Sequence, residues 1–284
     1  MSEFELGRTR GGDDTDLLCV EVSALGAAPA PTSFPRVSVS CAEWRESSAG
    51  CSTSSSTWSS NANQMHEDFL RSLLLKTDAY RPRQENLECM ENTGFLSMRK
   101  AVVEWFASVS VSYGFANETA VAALSNFDRY VSVTLEPVKD HLLLQLAAYV
   151  ALLVASKMGE TCPLRMKSLA SLTGRMFTPL QVQKLELEMI SKLHFRLAPP
   201  SADETLQCLT ALIHESWAPH VPVAEVLSSG ACYLKKARAR TCWFRHSPYS
   251  LAVAALATAY NSLGLGQLRR RLLRECDSRV RNVT

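Results

Sequence analysis

The sequence has 284 residues, which is enough for two domains of roughly 100 residues each and a tail. Apolar residues make up 46% of the chain and charged residues 20%, a balance that excludes a wholly disordered protein. Because the net charge is only +2, we expect no direct binding of nucleic acid and no binding to a membrane surface. We therefore expect the chain to bind a protein partner.

The nine cysteines include no C-x-x-C pair and no zinc-finger spacing, so they are expected to be reduced thiols rather than metal ligands. No apolar run of signal-peptide length occurs near the amino terminus, and no run reaches the length of a membrane span without polar interruption. These patterns predict a protein of the nucleus and cytoplasm that needs no metal or other cofactor.

Residues 1–62 are rich in Ser, Thr, Gly, Ala and Pro and predict a disordered tail. Apolar residues at helical spacing then predict a short amphipathic helix over about 63–77. This helix opens a predicted domain over 63–197, and a second domain over 198–284 follows.

Several helix starts are marked by capping residues. Thr178 is followed by Pro179 and then Gln181, an N-cap hydroxyl, a first-turn proline and a capping-box glutamine in the preferred order. Ser201 and Ser247 predict two further starts, and Asn117 is predicted to cap another helix. No alternating apolar run indicates a strand.

Two segments, 142–157 and 248–263, are apolar on nearly all sides and so predict helices wrapped by others. They lie about one domain length apart, with a Pro-containing joint over 197–200 between them. The sequence therefore predicts an all-α fold of two tandem helical repeats, each around a central helix. Since about twenty residues follow Gly264, the second repeat is predicted to be short.

The region from about Asp68 to Leu197 resembles the cyclin box, and the motifs at 98–100 and 160–164 resemble those of D-type cyclins. The resemblance implies two tandem cyclin-box repeats. It rests on the following segments: Met98-Arg99-Lys100, Asp128-Arg129-Tyr130, Leu144-Gln145-Leu146, Ala155-Ser156-Lys157, Glu160-Thr-Cys-Pro-Leu164 and Lys184-Leu185-Glu186.

The resemblance also implies roles for individual residues. Arg99 and Asp128 would form an internal ion pair, and Leu146 would belong to the core framework. Lys157 and Glu186 would contact a cyclin-dependent kinase. The chain is then a non-catalytic regulatory subunit that binds and activates such a kinase at the G1/S transition.

Helical geometry bears on Lys157 and Glu186 independently of any family. Glu186 falls on the apolar face of its helix, whereas Glu188 is predicted to point away from it. A carboxylate on an apolar face needs a partner, and Lys157 ends a wholly apolar helix. The two side chains are therefore predicted to form one polar spot at the edge of the core.

The predicted tail contains a short motif, in which Leu17, Cys19 and Glu21 follow three aspartates. In an extended chain these alternate residues project from one side and suit a peptide groove. In D-type cyclins, notably those of plants, this Leu-x-Cys-x-Glu motif binds retinoblastoma-type pocket proteins, so the resemblance implies such a partner.

The resemblance further implies a patch for Arg-x-Leu segments of substrates or inhibitors. Ala101 and Val102 are smaller than the residues usual there, which predicts weak or altered docking. Alternatively, Met98 and Trp105 simply pack helices together. The patch would comprise Met98, Ala101, Val102, Trp105 and Gln145.

Two other functions use the same paired repeats: a transcriptional cyclin and a IIB-like transcription factor. The second would require a zinc ribbon and a strongly basic second domain, neither of which the sequence contains. The tail motif argues against the first. No catalytic motif or Gly-rich phosphate loop occurs, so an enzyme is not expected.

Overall fold

The computed structural model describes residues 59–92, 94–134, 140–166, 168, 172–174, 176–217 and 220–281. The predicted Leu17, Cys19 and Glu21 motif, like most of the predicted tail, lies outside the described residues.

The described chain begins with helix α1, Ser59–Thr77, which confirms the amphipathic helix predicted at 63–77 but starts four residues earlier, inside the predicted tail. Two 3-10 turns, Asp78–Tyr80 and Gln84–Asn86, lead into the short helix α2, Leu87–Asn92. Although α1 precedes the first repeat in the chain, it packs against the second.

The first repeat is built around one helix that is buried along most of its length. Its described helices are α3 (Phe95–Tyr113), α4 (Asn117–Thr134), α5 (His141–Gly159) and α6 (Pro179–Lys192). All residues of α5 from Leu143 to Ser156 are buried, because α3, α4 and α6 pack around it. It is also the one described helix long and apolar enough to cross a membrane, a property that its position in the core explains.

The second repeat has the same plan. Its described helices are α7 (Ala202–Trp217), α8 (Val223–Arg238), the short α9 (Cys242–Arg245), α10 (Pro248–Ser262) and α11 (Gly266–Arg281). Helix α10 is central and packs against α7, α8 and α11. Helix α1 lies against α7 and α10, where the Cys208 thiol donates a hydrogen bond to the His66 carbonyl at 3.2 Å.

The predicted caps hold at three of four helix starts. Thr178 forms the full capping box with Gln181, and the hydroxyls of Ser201 and Ser247 accept backbone N–H groups of their helices. The prediction for Asn117 is wrong, because its side chain contacts the second repeat instead. Glu160 replaces it by accepting the Ala116 N–H at 2.9 Å.

The described residues contain helices, 3-10 turns and loops, and no strand among them. The predicted all-α fold of two helical repeats, each around a central apolar helix, is therefore confirmed.

Candidate functional site

A charged pair marks the surface where α5 meets α6. Lys157 lies in the last turn of α5, and its Nζ donates a hydrogen bond to Oε1 of Glu186 in α6. The Lys157 side chain is 45% exposed and that of Glu186 12%. The structure thus brings together the two residues that the resemblance assigns to kinase binding.

Local sequence fixes the position of both charges. Helix α6 starts at Pro179 because the Thr178 capping box ends the preceding loop. Leu185 and Met189 belong to the buried apolar face of this helix. Glu186 then lies at the edge of that face. The ammonium of Lys157 lies near the carboxyl end of α5, where the helix dipole favours a positive charge.

Large apolar side chains of the same two helices and of the turn after α6 are exposed. Leu180 and Leu187 lie seven residues apart on one side of α6, Met158 follows Lys157 in the last turn of α5, and Phe195 lies in the turn after α6. Their exposed fractions are Met158 58%, Leu180 59%, Leu187 67% and Phe195 78%. Four of the exposed large apolar residues thus come from the two helices that hold the ion pair and from the turn that follows α6, a composition typical of a protein interface.

The turn after α6 has an uncommon backbone. His194 and Phe195 adopt φ angles of 51° and 59°, the left-handed region that non-glycine residues rarely occupy. Hydrogen bonds from their N–H groups to the carbonyls of Ser191 and Ile190 hold this conformation. Such strain costs roughly 1–3 kcal/mol per residue and is often found at functional sites.

The prediction from helical geometry that Glu188 points away from the apolar face of α6 is wrong in one respect. The residue does not simply point away from the repeat, since its carboxylate accepts a hydrogen bond of 2.9 Å from the hydroxyl of Tyr130 in α4. Helix α6 therefore presents one carboxylate to its own repeat and another, Glu186, to the surface pair.

A second ion pair is fully buried beneath the first repeat's surface. Arg99 donates from Nε and Nη2 to the two carboxylate oxygens of Asp128, at 2.7 and 2.8 Å. Burial raises the pKa of the Asp128 carboxyl, and the adjacent guanidinium opposes that rise. Leu146, the predicted framework residue, is likewise fully buried in α5.

The same guanidinium reaches the second repeat. Its Nη1 donates to the backbone carbonyl of Arg238, at the end of α8, at 2.6 Å, and its plane lies 5.1 Å from the ring centre of Phe244. This inter-repeat contact was not predicted, because nothing in the sequence pairs position 99 with a backbone atom so distant in the chain.

The residues predicted to form the Arg-x-Leu patch are only partly at the surface. Val102, Trp105 and Gln145 are buried, whereas Met98 and Ala101 are half-buried. Trp105 packs edge-on against Tyr149, with ring centres 4.7 Å apart. Use of this patch for docking stays a prediction.

Glu160, the first residue of the motif at 160–164, belongs to a hydrogen-bonded cluster at the start of α4. Glu160 accepts hydrogen bonds from the N–H of Ala116 and the hydroxyl of Thr119. A Cβ atom at Gly159 would lie 3.1 Å from that hydroxyl oxygen, so the missing side chain leaves room for the cluster. In the part of the chain that the structure describes, no group of three potential metal ligands occurs.

The fold resembles that of solved cyclins. One of them, a viral cyclin from herpesvirus saimiri, superposes with a TM-score of 0.52 at 15% identity, covering 80% of this chain and 98% of that one. At this level of identity the likeness defines the class of fold alone.

The family model described as Cyclin, N-terminal domain matches residues 68–198, the segment that holds α3 to α6. The match defines this segment as a cyclin N-terminal domain and covers a little under half of the chain.

Relatives among known proteins include G1/S-specific cyclin-D1 of Bos taurus, which is 27% identical over 211 residues, or 72% of this chain and 68% of the relative. The human protein of that name is 33% identical over 138 residues, 49% of this chain and 46% of the relative. Cyclin-A3-2 of Arabidopsis thaliana is 28% identical over 171 residues, 60% and 44% of the two chains. The last two alignments span less than half of the relative's length. The D1 matches agree with the D-type resemblance of the motifs at 98–100 and 160–164.

Proposed function

We propose that this chain binds and activates a cyclin-dependent protein kinase at the G1/S transition, through the surface around Lys157 and Glu186. The observation that carries the proposal is the ion pair between α5 and α6, together with the exposed large apolar side chains of the same two helices and of the turn after α6, of which Leu187 and Phe195 are the most exposed. Several exposed large apolar side chains on neighbouring elements are typical of an interface, so a partner is expected to cover them.

The proposed mechanism is positional. A protein kinase is active only when an ion pair between its αC glutamate and a strand lysine is in place. A rigid surface made of two packed helices, α5 and α6, can hold αC in that position. Apolar burial would supply most of the affinity, and Lys157 and Glu186 would supply hydrogen bonds that fix the orientation.

The ion pair within the free chain has a consequence for this mechanism. Lys157 and Glu186 bind each other before any partner arrives, so neither charge must be ordered separately on binding. Each has further hydrogen-bonding capacity, since an ammonium has three donors and a carboxylate about four acceptor sites.

The test is a binding measurement with purified cyclin-dependent kinases and the Lys157→Ala/Glu186→Ala double variant. We expect affinity to fall at least about tenfold, which corresponds to about 1.4 kcal/mol. Lys100→Ala/Glu104→Ala is the matched control, since it removes an exposed ion pair of 4.0 Å on α3. Equal effects of the two double variants, or no binding of wild type to any such kinase, would contradict the proposal.

We also propose that the Leu17, Cys19 and Glu21 motif recruits a retinoblastoma-type pocket protein, as the motif's spacing supports. Cys19→Ala should abolish pocket-protein capture while leaving kinase binding unchanged. Full retention of capture by that variant would remove the motif from the proposal.

Docking of Arg-x-Leu segments is proposed to be weak. The burial of Val102 and Trp105 supports this, because little of the patch is accessible in the folded chain. Enlarging the small surface residue, as Ala101→Ile, is expected to strengthen binding of an Arg-x-Leu peptide, measured by fluorescence anisotropy. No change would indicate that the peptide does not use this patch.

A further inference from the structure

A small cavity of about 140 Å³ opens where the linker after α1 meets the carboxyl-terminal ends of α4 and α6. Basic residues form most of its wall, and the lining contains no carboxylate. The basic residues are Arg81, Arg83, Arg129, Lys192, His194 and Arg196. We call this cavity the basic pocket.

Arg129 is the buried member of the basic pocket, with 5% of its surface exposed. Its Nη1 donates to the Arg196 carbonyl at 2.6 Å and to Oδ1 of Asn126 at 3.3 Å. Its guanidinium lies 4.9 Å from the ring centre of Tyr80. All these contacts are to neutral groups, so within the described residues Arg129 has no carboxylate partner.

A buried cation without a counter-ion is costly, and here other cations add to the cost. The pKa of the Arg129 guanidinium is lowered to about 10, mainly by burial; Tyr80 opposes this shift and the charge of Arg196 adds to it. The group therefore stays charged at neutral pH, and a bound anion would relieve both the desolvation and the repulsion.

Among the described residues, only one cation at the rim of the basic pocket has an acidic partner. Asp78 lies beside the pocket and contacts Arg81 at 3.4 Å, but its own side chain is almost fully exposed. The side chains of Arg83 and Lys192 are at the surface and form no ion pair within the described residues. One of the rim cations is thus partly neutralised, and the others are available to a ligand.

The size and chemistry of the basic pocket select among anions. Its volume is well above the roughly 10–15 Å³ that one water molecule requires. Several arginines around one cavity match the oxygens of a phosphoryl group, which accept paired N–H donors. An overall charge of only +2 disfavours an extended nucleic-acid surface.

We propose that the basic pocket binds the phosphoryl group of a phosphorylated serine or threonine on a protein segment. The pocket would recognise the segment in the way that arginine clusters recognise phosphorylated motifs in other proteins. Because α6 carries both Glu186 and Lys192, such a segment would lie beside the surface proposed to bind the kinase. The proposal does not rest on kinase binding, since the pocket is complete in the chain alone.

The test measures binding of the full chain to a fluorescent peptide pool with one fixed phosphoserine and randomised uncharged neighbours. We expect the phosphorylated pool to bind at least about tenfold more tightly than the same pool with serine. Arg83→Glu and Lys192→Glu should each weaken that binding by about tenfold or more. Arg270→Glu, an equal change of charge at an exposed site on α11, should leave it within about twofold.

Inorganic phosphate should compete with the phosphorylated pool. Several results would overturn the proposal: equal binding of the two pools, equal losses in the Arg270→Glu control, or binding of inorganic phosphate with no binding of the phosphorylated pool. Tighter binding of a single-stranded oligonucleotide, with the same sensitivity to Arg83→Glu, would instead assign the pocket to nucleic acid.

Discussion

Arg99 shows how one side chain serves two parts of the protein. Its guanidinium neutralises a buried carboxylate within the first repeat and binds a backbone carbonyl of the second. A charged pair at this depth is costly to desolvate, and its two parallel hydrogen bonds offset that cost.

Removal of Arg99 alone should therefore be far more damaging than removal of the pair. We expect Arg99→Met to lower the free energy of unfolding by about 3–5 kcal/mol, because Asp128 is then buried without its partner. The double variant Arg99→Met/Asp128→Leu should recover part of that loss, as measured by urea denaturation. A double variant no more stable than the single one would show that the loss comes from the contacts to Arg238 and Phe244.

The contacts of individual residues were predicted from the sequence with unequal success. The proximity of Lys157 and Glu186 followed from helical geometry, because an acid on an apolar face requires a nearby donor. Asn117 was predicted as a cap from its residue type alone, whereas a glutamate that follows the end of α5 supplies the cap. A capping rule that uses only neighbouring residues cannot identify an acceptor so far along the chain.

Helix α6 joins several functions in one element. Its capping box fixes where it begins, its apolar face packs on α5, and its opposite side carries Leu180 and Leu187 into solvent. The position of Glu186 therefore depends on a hydroxyl two turns earlier in the chain.

Loss of that hydroxyl should weaken the helix by a known amount. Thr178→Ala is expected to lower the free energy of unfolding by about 1 kcal/mol, since the Gln181 N–H loses its acceptor. Thr178→Ser keeps the acceptor and serves as the control, with both measured by urea denaturation. An equal loss in the serine variant would attribute the effect to the methyl group rather than to the cap.

At the level of elements, the sequence identified most of the helices and both central ones. Periodicity and caps are local properties, so α5, α6 and α10 could be placed from the order of residues alone. The packing of α1 on the second repeat could not, because an amphipathic face indicates burial without specifying its partner. The basic pocket was missed for a similar reason, since its cations come from three separated segments.

At the level of the whole molecule, polar contacts tie the two repeats together. Arg238 of α8 donates to Asp203 at 2.7 Å and to Asn117 of the first repeat at 2.9 Å. Glu91 of α2 pairs with Arg245 of α9, which joins the segment before the first repeat to the second.

Arg238→Ala should loosen the junction between the repeats. The variant leaves the nearly buried carboxylate of Asp203 without its cation, which typically costs about 1–3 kcal/mol. We expect faster amide hydrogen exchange at the starts of both α4 and α7. Arg240→Ala, at an exposed neighbouring position, is the control, and faster exchange in α7 alone would show that the contact does not couple the repeats.

The contact between Glu91 and Arg245 should make this tie sensitive to pH. The hydrogen bond from Arg245 lowers the pKa of the Glu91 carboxyl below its usual range. A lowered pKa in the folded state means that the stabilisation is present above the pKa of the unfolded chain and is lost as pH falls through the folded value.

Wild type should therefore be more stable than Glu91→Gln at neutral pH. The difference should shrink as the pH falls below the usual pKa of a glutamate and vanish once the folded-state carboxyl is protonated. Thermal unfolding of the two proteins across this range would measure the difference directly and cancel the titration of other carboxylates. A difference that is constant with pH would exclude an ionic contribution from this pair.

The acceptor that Arg99 uses in the second repeat is a main-chain oxygen, which every amino acid possesses. A substitution at position 238 can change the side chain there without deleting that acceptor, provided that the end of α8 stays in place. This hydrogen bond therefore constrains the position of the second repeat and not its residue type at 238. The other contacts between the repeats, through Phe244 and the side chains of Arg238 and Arg245, do depend on residue type.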